Sequence, residues 1–171
     1  MKRMIILLSV VLILILCSNV LFAQDEITKL KEQIIDIQNK GNLDYRNFTL
    51  CTNIIGYGQY VPYTDNQVKK GTEIYIYYEP KNLFTNRLGG TYQIWFTQDI
   101  ILLDANENEI YSALELLNFN YQTTSPVLDV YASNSLDLGD LPPGTYHYKA
   151  VMHDKLKKVD KSYTYTFEII Q

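Results

Sequence analysis

Cysteine is almost absent from this sequence: of 171 residues only Cys17 and Cys51 carry a thiol. That excludes a disulfide-dense small scaffold and a cysteine-cluster metal site. Eight Gly and five Pro are too few for a collagen-like or low-complexity chain. The only two histidines, His147 and His153, sit six residues apart on one strand pattern, about 20 Å by strand rise, and cannot share a metal. No Gly-x-Ser-x-Gly elbow, phosphate-cradling loop or dinucleotide fingerprint occurs. The chain is therefore expected not to be an enzyme, and to carry no cofactor and no catalytic residue or metal site. Excess positive charge is missing too, since the formal net charge is -4. Phosphate binding rests on a basic surface, so nucleic acid is not an expected partner.

One acidic run has to be tested as a calcium loop, because Asp104, Asn106, Asn108 and Glu115 fall at positions 1, 3, 5 and 12 of the EF-hand pattern. Position 6 needs Gly for the sharp turn, and Glu109 stands there. The flanks read as strands and not as helices, so a polar hairpin turn is expected.

What is present begins with Lys2-Arg3 and a nearly unbroken apolar run from Met4 to Leu16, followed by Cys17 to Ala23 and the acidic pair Asp25-Glu26. A charged start, an apolar stretch and a small residue describe a signal peptide over 1–23, cleaved after Ala23. The run also approaches the ~20 residues of a membrane span, so an uncleaved anchor is the alternative. A lipoprotein signal would place a small residue before Cys17, where Leu16 stands. In each case the charge order exports the rest of the chain, to the periplasm, the cell surface or the medium. Removing 1–23 takes two of 15 basic residues and none of 19 acidic ones, leaving a net charge of -6 and Cys51 as the one thiol.

Over 24–42 the apolar residues Ile27, Leu30, Ile34 and Ile37 recur at helical spacing, with Gly41 at the expected stop. A helix of about four turns is too short to stand alone. The seam Ile27, Leu30, Ile34 and Ile37 is expected to dock on the following domain, with a short dimerising coiled coil as the alternative. From 43 to 171 the texture changes, and all 15 Tyr lie at or beyond Tyr45. Tyr, Ile, Val, Thr and Phe between recurrent turn residues predict strands near 48–55, 71–79, 90–97, 99–104, 109–117, 127–137, 145–154 and 161–170. Alternation turns Ile74, Ile76 and Tyr78 inward, and likewise Tyr92, Ile94 and Phe96. The fold class is all-β, an antiparallel β-sandwich of seven to eight strands behind a signal peptide and one short amphipathic helix.

Leu141-Pro142-Pro143-Gly144-Thr145-Tyr146, an alternating strand to Asp154, a turn, and a last strand ending Phe167-Glu168-Ile169 resemble the closing hairpin of immunoglobulin-like and fibronectin-type-III-like domains of bacterial envelope proteins. Gly56-Tyr57-Gly58, Lys70 to Tyr77 and Tyr92-Gln93-Ile94 resemble an uncharacterised family of secreted single-domain proteins with the same ending. The likeness covers roughly residues 53 to 170 and implies an immunoglobulin-like sandwich without an intersheet disulfide. It also suggests a tyrosine corner, with the Tyr146 hydroxyl bonded to backbone upstream.

The same alternation turns Trp95, Tyr75 and Tyr77 outward, beside Gln93, Thr97, Glu73 and Glu79. Exposed rings next to hydrogen-bonding groups suit stacking on sugars or gripping a protein. Trp95, Tyr75 and Tyr77 are thus the candidate ligand-binding residues, unless the helix covers them. The expected function is a non-enzymatic binding or structural module at the cell envelope. Its partner would be a protein or a glycan, with membrane contact only through an uncleaved N-terminal segment. A carbohydrate-binding module and an assembly subunit of an envelope complex are the alternatives.

Overall fold

The computed structural model describes residues 25–139 and 141–171; the expected signal peptide lies outside the described residues. One helix, α1 (25–40), precedes ten strands. These are β1 (Asp44–Gly56), β2 (Gln59–Pro62), β3 (Gln67–Lys69), β4 (Glu73–Lys81), β5 (Asn86–Leu88), β6 (Thr91–Leu103), β7 (Glu109–Thr123), β8 (Ala132–Asp137), β9 (Gly144–Asp154) and β10 (Val159–Ile170). A four-stranded sheet runs β2-β1-β4-β8, and a second runs β3-β10-β9-β6-β5 with β7 on the other edge of β6. Among the described residues no helix is long and apolar enough to cross a membrane.

The expectation of seven to eight antiparallel strands is corrected to ten, of which β3 pairs with β10 in parallel. The added strands β2, β3 and β5 are three or four residues long and leave no alternation to read. Conversely, the two strands expected at 90–97 and 99–104 are one. Only Gln98 separates those two runs, yet it is fully buried and accepts from the Tyr78 hydroxyl (2.8 Å) and the Asn134 amide (3.1 Å). That bond set ties the two sheets together across the interior.

Inward faces follow the alternation. Leu50, Ile74 and Ile76 of the smaller sheet meet Ile100, Leu102, Tyr148, Ala150 and Phe167 of the larger. A second cluster gathers Leu43, Tyr78, Leu83, Phe96, Ala132 and Met152. Cys51 is buried and free on β1, and burial pushes its thiol up to about 11, so it behaves as a small apolar side chain.

The closing hairpin forms as expected, with Val159 opposite Asp154. Asp154, 1% exposed, accepts from the amides of Leu156 (3.0 Å), Lys157 (2.8 Å) and Phe84 (2.7 Å), so one carboxylate shapes the turn and pins the 82–85 segment to it. The Tyr146 hydroxyl donates to the Pro142 carbonyl at 2.8 Å, the expected corner bond. At Asp104 the carboxylate accepts from the Asn106 and Asn108 amides and closes the polar β6–β7 turn.

The docking of α1 departs from expectation. The seam Ile27, Leu30, Ile34 and Ile37 is 46, 53, 42 and 70% exposed, whereas Ile35 beside it is wholly buried. The landing surface explains this, because it is edged with backbone groups and polar side chains. Asn39 exchanges two bonds with the Thr85 backbone (3.0 and 2.8 Å), and Gln38 donates to the Leu128 carbonyl (3.2 Å). Glu32 accepts from the Tyr92 hydroxyl (2.9 Å), and Asp36 pairs with Arg87 (3.0 Å). Lys157 donates to the carbonyls of Asn39 and Gly41, placing a cation at the helix C-terminus, where the dipole favours it. A Cβ on Gly41 would stand 2.5 Å from the Asn82 side-chain amide, so a larger residue there would have to displace that side chain from its bond to the Asn42 carbonyl.

Asp154→Ala leaves three amides without their acceptor and should lower stability by about 3 kcal/mol, whereas Tyr146→Phe, which loses one neutral bond, should cost about 1 kcal/mol. Urea unfolding midpoints at unchanged slope measure both.

Candidate functional site

β4 carries Tyr75, Tyr77 and Glu79 on the outer face of the smaller sheet, as period two requires. What surrounds them comes from other elements. A β-bulge between Arg46 and Thr49 of β1, with Asn47 at φ 55°, lets two consecutive residues reach one carboxylate. Arg46 donates to Glu79 at 2.6 Å and Asn47 at 3.0 Å, while the Tyr77 hydroxyl donates at 2.8 Å. Glu79 is 2% exposed. Burial alone would raise its pKa, but the bonds from Asn47, Tyr77 and Arg46 outweigh burial and hold the carboxyl below its ordinary value.

Around this carboxylate stands a tyrosine stack. Tyr77 lies between Tyr60 of β2 (ring centroids 4.1 Å) and Tyr131 of the 127–131 segment (5.7 Å). Its hydroxyl also accepts from the Gly58 amide at 2.7 Å, which fastens the β1–β2 turn. Tyr57, in that turn, donates to Asp129 at 2.9 Å and lies beside Glu79. Burial first, and the bond to Asp129 next, push the Tyr57 hydroxyl up to about 12, so it stays protonated. Arg46 also reaches Asp129 at 3.6 Å. Tyr57, Tyr131, Arg46 and Asp129 form the accessible rim, and Tyr77 and Glu79 form its floor.

The expected site residues are thus divided. Tyr75 and Tyr77 share this face, with Tyr75 half-buried and its hydroxyl donating to Glu73 at 2.9 Å. Tyr77 is not an exposed contact: it is 0% exposed because its neighbours stack on both of its faces. Trp95 belongs to β6 in the other sheet, half-buried, with its indole donating to Asn118 of β7 at 3.0 Å. The helix does not cover it, since α1 meets β6 through Tyr92 and the Ile94 side. Sequence reasoning missed Arg46, Asn47, Tyr57, Tyr60, Asp129 and Tyr131, which only the strand order brings to β4.

On the outer face of the larger sheet His153 bridges two carboxylates, with Nε2 2.9 Å from Asp99 and Nδ1 2.7 Å from Asp160. Burial would lower the histidine pKa, but the two carboxylates outweigh it and raise it. Among the described residues no group of three His, Cys, Asp or Glu could hold a metal ion. An open apolar groove of about 410 Å³ lies between the edge strands β7 and β8, lined by Ile100, Leu102, Leu116, Leu136 and Leu141. It brings together no reactive pair.

No family model matches the chain. Among curated proteins nothing matches either. Solved structures do. An alkylpurine DNA glycosylase, AlkC, from Pseudomonas fluorescens, bound to DNA containing an abasic site analogue, is similar at a TM-score of 0.42 and 8% identity over 75% of this chain and 30% of that one. A family 123 glycoside hydrolase from Clostridium perfringens, described for glycolipid glycan hydrolysis, is similar at a TM-score of 0.46 and 10% identity over 77% of this chain and 28% of that one. This chain therefore spans less than a third of either. Both are enzymes, which corrects the expectation of a non-enzymatic chain: absence of activity is not a property to assign. At these TM-scores the likeness assigns no reaction or substrate either.

Because the folded pKa of His153 lies above the unfolded value of about 6.5, its contribution is complete below that pH and is lost as pH rises through the folded pKa. Unfolding free energy should therefore fall from about pH 6.5 upward. In His153→Gln that slope should be flatter in urea titrations at stepped pH, and an unchanged slope would remove the assignment.

Proposed function

We propose that this chain is an exported immunoglobulin-like β-sandwich, delivered by its N-terminal signal, that acts as a binding module at the cell envelope and takes a glycan on the tyrosine face of the smaller sheet. The observation that supports this is the Tyr60–Tyr77–Tyr131 stack standing beside Arg46, Glu79, Tyr57 and Asp129. A sugar ring presents C–H groups to an aromatic face and hydroxyls to a carboxylate or guanidinium, and this rim offers both kinds of contact within one patch. Fixing the floor first keeps the ordering cost of binding low, because Glu79 and Tyr77 are already held. A protein partner would use the same rings, and Tyr and Arg are the residues that dominate such contacts.

Immobilised envelope polysaccharides test the reading. Tyr131→Ala and Asp129→Ala should each weaken binding about fivefold or more, a loss of about 1 kcal/mol. Trp95→Ala, on the other sheet, should leave it unchanged. Binding that is lost with Trp95 and kept without Tyr131 would move the site to the larger sheet.

A further inference from the structure

The exposed seam of α1 has the geometry of a coiled-coil stripe. Ile27, Leu30, Ile34 and Ile37 are spaced three, four and three apart, the a, d, a, d positions of two heptads. At 100° per residue they occupy an arc of about 80°, centred about 120° around the helix from Ile35, the residue that docks. The domain therefore holds the helix by one side and presents this stripe on another, at 42 to 70% exposure.

We propose that a second copy of this chain covers the stripe, the two α1 helices pairing in parallel. Two observations select that occupant. The first is charge complementarity. With Ile27 at a, Glu26, Gln33 and Lys40 occupy g, and Lys31 and Gln38 occupy e. In a parallel pair each g residue faces the e residue five positions on in the other helix, so Glu26 meets Lys31 of the second copy and Gln33 meets its Gln38. Among the described residues Lys31 is held by a long 3.4 Å bond to Ser125, and it can turn to the carboxylate. An antiparallel pair would exchange this match for Glu26 against Lys40, which is also at g, and would set Lys31 against Lys31 of the second copy, a repulsion the parallel pair does not have. The second observation is the width and charge of the stripe. A surface helix lying in a lipid interface carries a broad apolar face with basic flanks, whereas α1 has a narrow a/d stripe and carries Asp25, Glu26, Glu32 and Asp36 against Lys29, Lys31 and Lys40.

Two heptads are too few to pair in isolation, because each strand would first have to fold. Here the bonds from Asn39, Gln38, Glu32 and Lys157 already hold α1 helical, so pairing does not bear that cost. The contact is still small, and association is expected over roughly 1 µM to 1 mM.

Oxidative cross-linking of the full chain in a Cys17→Ser background tests the pairing, since Cys51 is buried and stays silent. Ile27→Cys and Ile34→Cys, both at a, should give disulfide-linked dimers at least about tenfold faster than Lys29→Cys, at the outward c position. Adding Glu26→Lys should slow Ile27→Cys several-fold, and adding Lys31→Glu to that variant should restore it. Equal rates at the three positions, or indifference to the charge exchange, would overturn the proposal. So would seam cysteines whose cross-linking is abolished by phosphatidylcholine vesicles, an outcome that would assign the stripe to a membrane surface. Cross-linking at Ile34→Cys without Ile27→Cys would mean an antiparallel contact and would overturn the parallel pairing.

Discussion

Burying a carboxylate costs several kcal/mol unless hydrogen bonds replace the water it gives up. Glu79 meets that condition on the outer side of a sheet, and the architecture of that face follows from it. Three donors from two strands converge on the carboxylate: Arg46 and Asn47 from β1, and Tyr77 from β4 itself. To deliver two of them from adjacent residues, β1 has to bulge, and the bulge sits at Asn47, a residue type that tolerates the left-handed region. Tyr77, once oriented toward Glu79, becomes the platform on which Tyr60 and Tyr131 stack and to which the Gly58 turn is bonded. A polar requirement at one residue thus organises two strands, a turn and a connecting segment into a single rigid patch.

A similar logic governs α1. Its apolar stripe does not choose the docking face, because the surface it lands on presents the Thr85 and Leu128 backbone groups and the Tyr92 hydroxyl alongside its apolar side chains. Asn39 and Gln38 bond to the backbone groups, the Glu32 carboxylate accepts from the Tyr92 hydroxyl, and Ile35 is wholly buried beside them. The stripe that sequence periodicity makes most conspicuous is left at the surface, free to serve contacts outside the domain. Hydrophobic spacing identifies a helix well; it does not say which neighbour the apolar side will meet.

That distinction also describes what was legible in the sequence. Period-two alternation placed Ile74, Ile76 and Tyr78 inside and set the closing hairpin, while the Tyr146 corner was suggested by the proline pair before that residue and by the resemblance it supports; each depends on local pattern alone. It also gave the outward parity of Tyr75, Tyr77 and Trp95. Parity, however, is not exposure: Tyr77 faces out and is fully covered. Nor does it give strand order, so Trp95 was grouped with tyrosines of a different sheet, while Arg46, Tyr57, Asp129 and Tyr131 could not be seen to converge. The reading of Gln98 as a break failed for a related reason, since its partners Tyr78 and Asn134 lie far along the chain.

The claim that Glu79 is an ionised, fully bonded carboxylate at the centre of the tyrosine face is tested most directly by a carbon-13 NMR titration of its side chain. The account predicts a midpoint below the ordinary glutamate value of about 4.3. A midpoint at or above that value would mean that burial outweighs the bonds from Arg46, Asn47 and Tyr77, and the face would then lack the fixed anion on which its construction depends.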